Sequence, residues 1–203
     1  MSDPDFAAAY FDEGGRMQGY MIYEVADRKM KIKEWAAVTE DARVALWGYA
    51  ANHDSMIQEL MITVPIDDPL PFLVPDPRFK QEIKPYFMSR IVDAEAFTSQ
   101  YPYKEADSVD ELSIALEDAH APWNDGNFRL RIERDGSARL MRMADGGTAD
   151  VLRCDIATLT AMLVGGRRPR FLHRVGRLAG PEEAIAALER RVPWQTPYLM
   201  DFF

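Results

Sequence analysis

The stretch PIDDPLPFLVPDP at residues 65–77 places five prolines and three aspartates side by side. Proline fixes φ and has no backbone N–H, so neither a helix interior nor a central strand can run through such a stretch. It reads as a rigid, irregular connection that divides the chain in two. The boundary is placed just after it, giving domains over residues 1–84 and 85–203. A chain of 203 residues and 23.1 kDa is long enough for two small domains. At this size about 70% of the unfolded surface can be buried, so neither a disulfide nor a structural metal is required. The single cysteine, Cys154, has no partner within the chain and fits a reducing compartment.

Composition narrows the function classes. With 47% apolar and 28% charged residues the chain has an ordinary globular balance, which excludes a disordered polymer. A net charge of −9 and a pI near 4.9 argue against nucleic acid or an anionic membrane as the main partner, since both demand a field that attracts phosphate. No apolar stretch approaches the ~20 residues that span a bilayer. The start, MSDPDF, lacks an apolar signal core, so export is not indicated and a cytoplasmic location is expected.

The first segment alternates strand and helix patterns. Residues 6–11 read as a strand, followed by a hairpin turn at Asp12-Glu13-Gly14-Gly15. Residues 19–25 set Met21, Tyr23 and Val25 on one face and Tyr20 and Ile22 on the other, which predicts cover on both faces. Another strand is expected over 30–38. Thr39 then caps a helix over 40–53, with Glu40 and Asp41 in its first turn and Ala42, Leu46, Tyr49, Ala50 and His53 on its apolar stripe. Residues 57–64 return to strand character.

The second segment reads as an antiparallel sheet followed by helices, an α+β arrangement. Strands are expected over 86–92, 111–117, 127–133, 137–143 and 150–154. Leu112, Ile114 and Leu116 face inward on one of them, and Phe128, Leu130 and Ile132 on the next. Asp93 and Asp155 are candidate helix caps, the second helix stopping at Gly165-Gly166, and Pro181 suits the first position of a last helix.

Catalytic signatures are sparse. There is no CxxC, HExxH or GxxxxGK[ST], and His53, His120 and His173 stand apart, so no metal site is expected. Cys154, in an apolar strand, reads as a buried small hydrophobe rather than a nucleophile. His53 reads as a core histidine and His120 as structural or surface. Arg167, Arg168, Arg170, Arg174 and Arg177 form a basic cluster that could hold phosphate, although a solvated face fits an acidic chain better. Acetyl-CoA enzymes of the GNAT superfamily need an [RQ]xxGx[GA] loop leading into a helix, whose N-terminus cradles the pyrophosphate. The near match Arg16-Met17-Gln18-Gly19-Tyr20-Met21 runs into a strand instead and is a false positive.

The C-terminus, Pro197-Tyr198-Leu199-Met200-Asp201-Phe202-Phe203, is apolar where tails are usually polar and frayed. Burying two phenylalanines is worth about 3–6 kcal/mol, enough to fix such a tail and aim its α-carboxylate. Plain packing onto the last helix is the competing account.

Several stretches together resemble the Eis-type ("enhanced intracellular survival") N-acetyltransferases. In the second segment these are Met88-Ser89-Arg90-Ile91-Val92-Asp93, Asp118 with Pro122-Trp123-Asn124-Asp125-Gly126, Leu163-Val164-Gly165-Gly166, and Pro197 with Asp201-Phe202-Phe203. Residues 6–78 look like the later part of the family's central domain, through Gly19-Tyr20-Met21-Ile22-Tyr23, His53-Asp54-Ser55 and Pro65 with Asp67-Asp68-Pro69-Leu70. The resemblance implies a partial GNAT-like mixed α/β segment followed by a sterol-carrier-protein-2-like domain. It implies a parent enzyme that moves an acetyl group from acetyl-CoA to amines of polycationic acceptors such as aminoglycosides, assembled as a homo-oligomer. In the family the final carboxylate serves as general base, which carries over to Phe203, with Asp201, Phe202 and Trp123 as possible pocket wall. The family's acetyl-CoA-binding N-terminal domain, the expected partner, is not in this sequence. The chain is therefore expected to look like the C-terminal half of an enzyme, to bind no acetyl-CoA and to be inactive alone. A lipid or hydrophobic-ligand carrier of the sterol-carrier type is the alternative, and a purely structural oligomerisation module a third reading.

Overall fold

The computed structural model describes residues 5–84, 87–143 and 150–199. The chain forms two compact units, one reaching to Arg78 and the other covering Phe79–Leu199. The calls on Asp201, Phe202 and Phe203 lie outside the described residues.

In the first unit, β1 (Phe6–Phe11), β2 (Met17–Ala26) and β3 (Lys29–Ala37) form an antiparallel meander. The helix α1 (Glu40–Ala51) then crosses back so that β4 (Glu59–Ile62) runs parallel to β3, giving the order β1-β2-β3-β4. The first turn is tied by Asp12, whose Oδ1 accepts from Arg16 N at 2.9 Å and whose Oδ2 accepts from Gln18 Nε2 at 2.7 Å. Gly15 supplies the positive φ, 75°. The second turn contains no glycine: Asp27 and Arg28 both hold positive φ, at 49° and 61°. Paired positive φ matches the right-handed twist of the flanking strands, which is why such hairpins tolerate the local strain.

Thr39 caps α1, its side chain accepting from Ala42 N. Leu46 and Ala50 of α1 pack onto Met21, Tyr23, Met30 and Ile32. Among the described residues the expected cover on both faces of β2 is not found: Tyr20 and Ile22 are only half-buried. The reason lies in the charged side chains on this unit. Tyr20 donates to Glu34 at 3.2 Å, and Lys33 pairs with Asp5 at 2.6 Å and with Glu24 at 2.8 Å. A face dressed in this way can remain hydrated. A short helix, α2 (Leu70–Leu73), interrupts the proline-rich connection.

The second unit begins irregularly. Residues 87–92 form no strand, contrary to expectation: only Ile91 of this run is buried, and its N–H donates to Thr160 Oγ1 at 3.1 Å rather than to a sheet ladder. After α3 (Ala94–Gln100) come β5 (Asp110–Glu117), β6 (Gly126–Ile132), β7 (Ala138–Arg142) and β8 (Val151–Asp155), in the order β7-β6-β5-β8. The first three are antiparallel, but β8 joins β5 in parallel, so the sheet is mixed and not antiparallel throughout as expected: the chain returns from β7 on the far side of the sheet to the free side of β5. Leu112, Ile114, Leu116, Phe128, Leu130 and Ile132 all point into one core with residues of α4 (Ile156–Leu163) and α6 (Glu182–Arg191). Asp93 and Asp155 cap α3 and α4, accepting from Ala96 N and Thr158 N. Between α4 and α6 lies α5 (Pro169–Arg174). Pro181 sits one place earlier than expected, just outside α6.

Candidate functional site

The motif Pro122-Trp123-Asn124-Asp125-Gly126 forms the loop between β5 and β6, and it is built around a buried carboxylate. Asp118 leaves β5 with its side chain fully enclosed. It accepts two hydrogen bonds from Arg90 Nη2, at 2.6 and 2.8 Å, one from Asn124 Nδ2 at 3.0 Å, and two from the backbone N–H groups of His120 and Ala121 at 3.0 and 3.2 Å. Burial by itself would raise the pKa of Asp118, but the hydrogen bonds from Asn124, His120 and Arg90 outweigh it and hold the group at about 2. Such a carboxylate is ionised at neutral pH with its acceptor sites occupied, so it anchors the loop rather than moving protons.

Asn124 carries the link onward. Its Oδ1 accepts from Ala94 N at 2.9 Å and its Nδ2 also donates to Val92 O at 2.9 Å. Trp123 is 57% exposed, yet its indole N–H donates to the same Val92 carbonyl at 2.8 Å. From the other side Arg142 of β7 clamps the loop, donating to the carbonyls of Asp125 at 2.8 Å, Pro122 at 3.3 Å and Trp123 at 2.6 Å while lying over the Phe128 ring. Gly126 holds φ at 141°, and a Cβ there would come within 2.5 Å of Arg142 Nη1. The loop is thus joined to residues 90–94 and to β7 by side chains that sequence spacing did not bring together: Arg90, Asp118 and Arg142.

The segment resembling a phosphate loop does not fit a pyrophosphate. Met17–Ala26 is a strand, and Gly19 is buried beneath α1, where a Cβ would lie 2.9 Å from Ala36 O and 3.1 Å from both Ala42 Cβ and Leu46 Cδ1. Its glycine serves helix–sheet packing. No row of backbone N–H groups at a helix N-terminus follows it.

The remaining candidates fall into place individually. Cys154 is buried, and burial with the nearby carboxylates of Asp155 and Glu117 pushes its thiol up to about 12. His53 is half-buried, its Nδ1 3.0 Å from Tyr49 O and its ring edge-on to Tyr23 and Tyr49, whose hydroxyls lie 2.8 Å apart. His120 is exposed, and His173 Nδ1 sits 2.9 Å from Leu178 O. The arginine cluster is not a uniform solvated face. Arg168 is half-buried and donates to Glu189 Oε1 at 2.9 Å and to the carbonyls of Glu189, Val192 and Pro193, tying α5 to the end of α6. Among the described residues no group of histidine, cysteine and carboxylate side chains is placed to hold a metal ion, and no helix is long and apolar enough to cross a membrane.

The two units thus define a GNAT-like mixed α/β segment followed by an α+β domain of the sterol-carrier type. The chain belongs to the sterol carrier protein domain family, whose model matches residues 94–200, and the acetyltransferase (GNAT) domain model matches residues 2–91. The N-acetyltransferase Eis of Mycobacterium tuberculosis (strain ATCC 25177 / H37Ra) is 32% identical over 190 residues, covering 89% of this chain and 44% of that protein. An uncharacterized N-acetyltransferase of Streptomyces avermitilis is 26% identical over 194 residues, covering 90% of this chain and 44% of that one. Among solved structures, a conserved protein of unknown function from Enterococcus faecalis V583 superposes with a TM-score of 0.89 at 30% identity, over 99% of this chain and 50% of its own. Eis1 from Mycobacterium abscessus gives 0.72 at 27% identity, over 91% and 48%. The chain is homologous to Eis-type GNAT N-acetyltransferases and spans about half the length of the relatives it matches.

Proposed function

We propose that this chain is the acceptor-side and scaffolding portion of an Eis-type N-acetyltransferase that uses acetyl-CoA to acetylate amines of polycationic acceptors. The observation that carries this reading is the succession of a GNAT-type and a sterol-carrier-type domain along one chain, homologous over 89% of its length to an N-acetyltransferase Eis. The terminal carboxylate of Phe203 is assigned the role of general base, with Asp201, Phe202 and Trp123 beside the acceptor. The partner is an acetyl-CoA-binding GNAT domain, and the assembly is a homo-oligomer. A free α-carboxyl group with a pKa of ~3.3–3.7 is a weak base, and an apolar surround of the kind Phe202 and Phe203 supply raises it in the direction that deprotonating an ammonium requires. Supporting the choice of acceptor, fourteen acidic against seven basic residues fall at or before Arg78, so most of the chain's net negative charge lies in the GNAT-like part. A cationic acceptor is attracted by such a field.

The test is acetyl-CoA turnover with an aminoglycoside acceptor, for the chain alone and for the chain mixed with the portion of a mycobacterial Eis that lies outside the matched region. The expected result is no turnover alone, turnover on mixing, and loss of that turnover when Phe203 is deleted. Turnover by the chain alone, or full activity without Phe203, overturns the assignment. The carrier reading is not favoured: Phe128, Leu130, Ile132, Leu152, Ile185 and Leu188 fill the second unit's core at 2% exposure or less. The hollow bordered by Glu105, Asp107, Arg134 and Asp135 is polar and open to solvent.

A further inference from the structure

The sheet of the first unit stops at β4. Among the described residues β4 pairs only with β3, so its outer edge offers unmatched backbone donors and acceptors, the usual template for an added strand. The edge is short and carries the charged Glu59, but other blunting devices are absent from it. Residues 59–62 (ELMI) contain no proline, no lysine and no bulge. Beside it runs a groove of about 380 Å³ between the C-terminal half of α1 and the start of β4. Trp47, Ala50, Ala51, Ile57 and Leu60 give it an apolar floor, and Asp54 and Glu59 stand on its rim. The groove lies where α1, packed mainly over β1 and β2, meets β4. Trp47 is held in place by its tilted contact with Trp35, ring centroids 4.8 Å apart.

An unpaired strand edge alongside an apolar groove is the arrangement in which an extended peptide adds as a strand, its main chain bonding the edge and alternate side chains entering the groove. Charge selects the peptide. Glu59 is paired with Lys29 at 2.9 Å, so the attraction comes from Asp54 and from the fourteen-to-seven excess of acidic residues in this part of the chain, which favour a cationic segment. We infer that the β4 edge and its groove form a docking site for an extended cationic peptide with apolar residues at alternate positions, bound as a fifth strand. This site goes beyond the proposed acetyl transfer and does not depend on it, since it needs neither acetyl-CoA nor the C-terminal carboxylate.

The test uses the full chain and a peptide alternating lysine and valine, followed by calorimetry and by amide hydrogen exchange. Saturable binding is expected, with exchange slowed by about tenfold or more at saturation at those amides of residues 59–62 that do not donate to β3, as new strand hydrogen bonds require. A peptide of equal charge with proline at alternate positions, and one alternating glutamate and valine, should each bind at least about tenfold more weakly. Ala51→Arg, an exposed change that adds positive charge to the groove, should weaken the lysine peptide while leaving thermal stability unchanged. Equal binding of the proline-bearing peptide reduces the effect to diffuse charge attraction and overturns the inference. So does slow exchange, in the free chain, at those amides of residues 59–62 that do not donate to β3, together with a dimer in sedimentation, which means that a second copy already occupies the edge, and so does the absence of saturable binding.

Discussion

Arg191 is completely buried, and its Nε donates to Asp110 Oδ2 at 2.6 Å across 81 residues of sequence. The same guanidinium donates from Nη1 to Lys104 O at 2.7 Å and from Nη2 to Ser108 O, while Lys104 N donates to Arg191 O at 2.8 Å. The last turn of α6 is thereby fastened to the segment entering β5. Removing one partner of a buried pair typically costs about 3–5 kcal/mol; Arg190, whose Nη2 lies 3.5 Å from Asp110 Oδ1, would still face the carboxylate, so Arg191→Ala is expected near the lower end, about 3 kcal/mol. Urea unfolding measures it. A loss below about 1 kcal/mol, the value of a surface pair, would show that the buried geometry is not what stabilises α6.

Asp118 makes stability depend on acid. Its folded pKa of about 2 lies below the ordinary aspartate value, so the unfolded chain takes up this proton first as pH falls. The stabilisation it supplies is complete above the unfolded pKa, near ~3.9, and is lost as pH drops toward the folded value. Asp118→Asn removes the titration and one ionic partner of Arg90. Wild type should melt well above this variant at neutral pH, and the gap in Tm should narrow steadily between pH ~4 and ~2. A gap independent of pH would mean that the carboxylate is not ionised in the folded loop.

Cys154 should resist chemistry. A thiol pushed up to about 12 carries almost no thiolate at neutral pH, and the thiolate is the reacting form. Ellman's reagent is expected to label it only in denaturant. Rapid labelling of the native chain would place the thiol in an open, electropositive setting, contrary to its position on β8.

What could be read ahead of the structure was what short-range rules govern. The period-two alternation of β5 and β6 put Leu112, Ile114, Leu116, Phe128, Leu130 and Ile132 inward, and all six are buried. Thr39, Asp93 and Asp155 cap helices because a side-chain oxygen there reaches an N–H three residues on. Long-range pairing escaped. Arg191 meets Asp110, Arg90 meets Asp118 and Arg142 meets the 122–125 carbonyls only once the sheet has formed. The run at 87–92 has strand-like composition but no neighbouring strand, and Asp27-Arg28 lacks the glycine that usually announces its turn. The parallel pairing of β8 with β5 was equally invisible, since alternation does not encode strand direction.

Gly19 separates packing from phosphate binding. If it served a pyrophosphate loop, alanine there would spare the fold and weaken nucleotide binding. Its surroundings say otherwise: a Cβ would press on Ala36 O at 2.9 Å, a backbone atom unable to swing aside, and on Ala42 and Leu46 of α1. Overpacking of this kind costs about 1–3 kcal/mol, so Gly19→Ala should lower the urea midpoint of the first unit while Gly15→Asn, in the open turn with positive φ, changes it little. Shrinking the opposing side chain tests the contact directly. Leu46→Ala and Gly19→Ala together should destabilise less than the sum of the two single changes, because the added methyl enters space that the leucine vacates. Strict additivity would place the strain at Ala36 alone and leave α1 free of the contact.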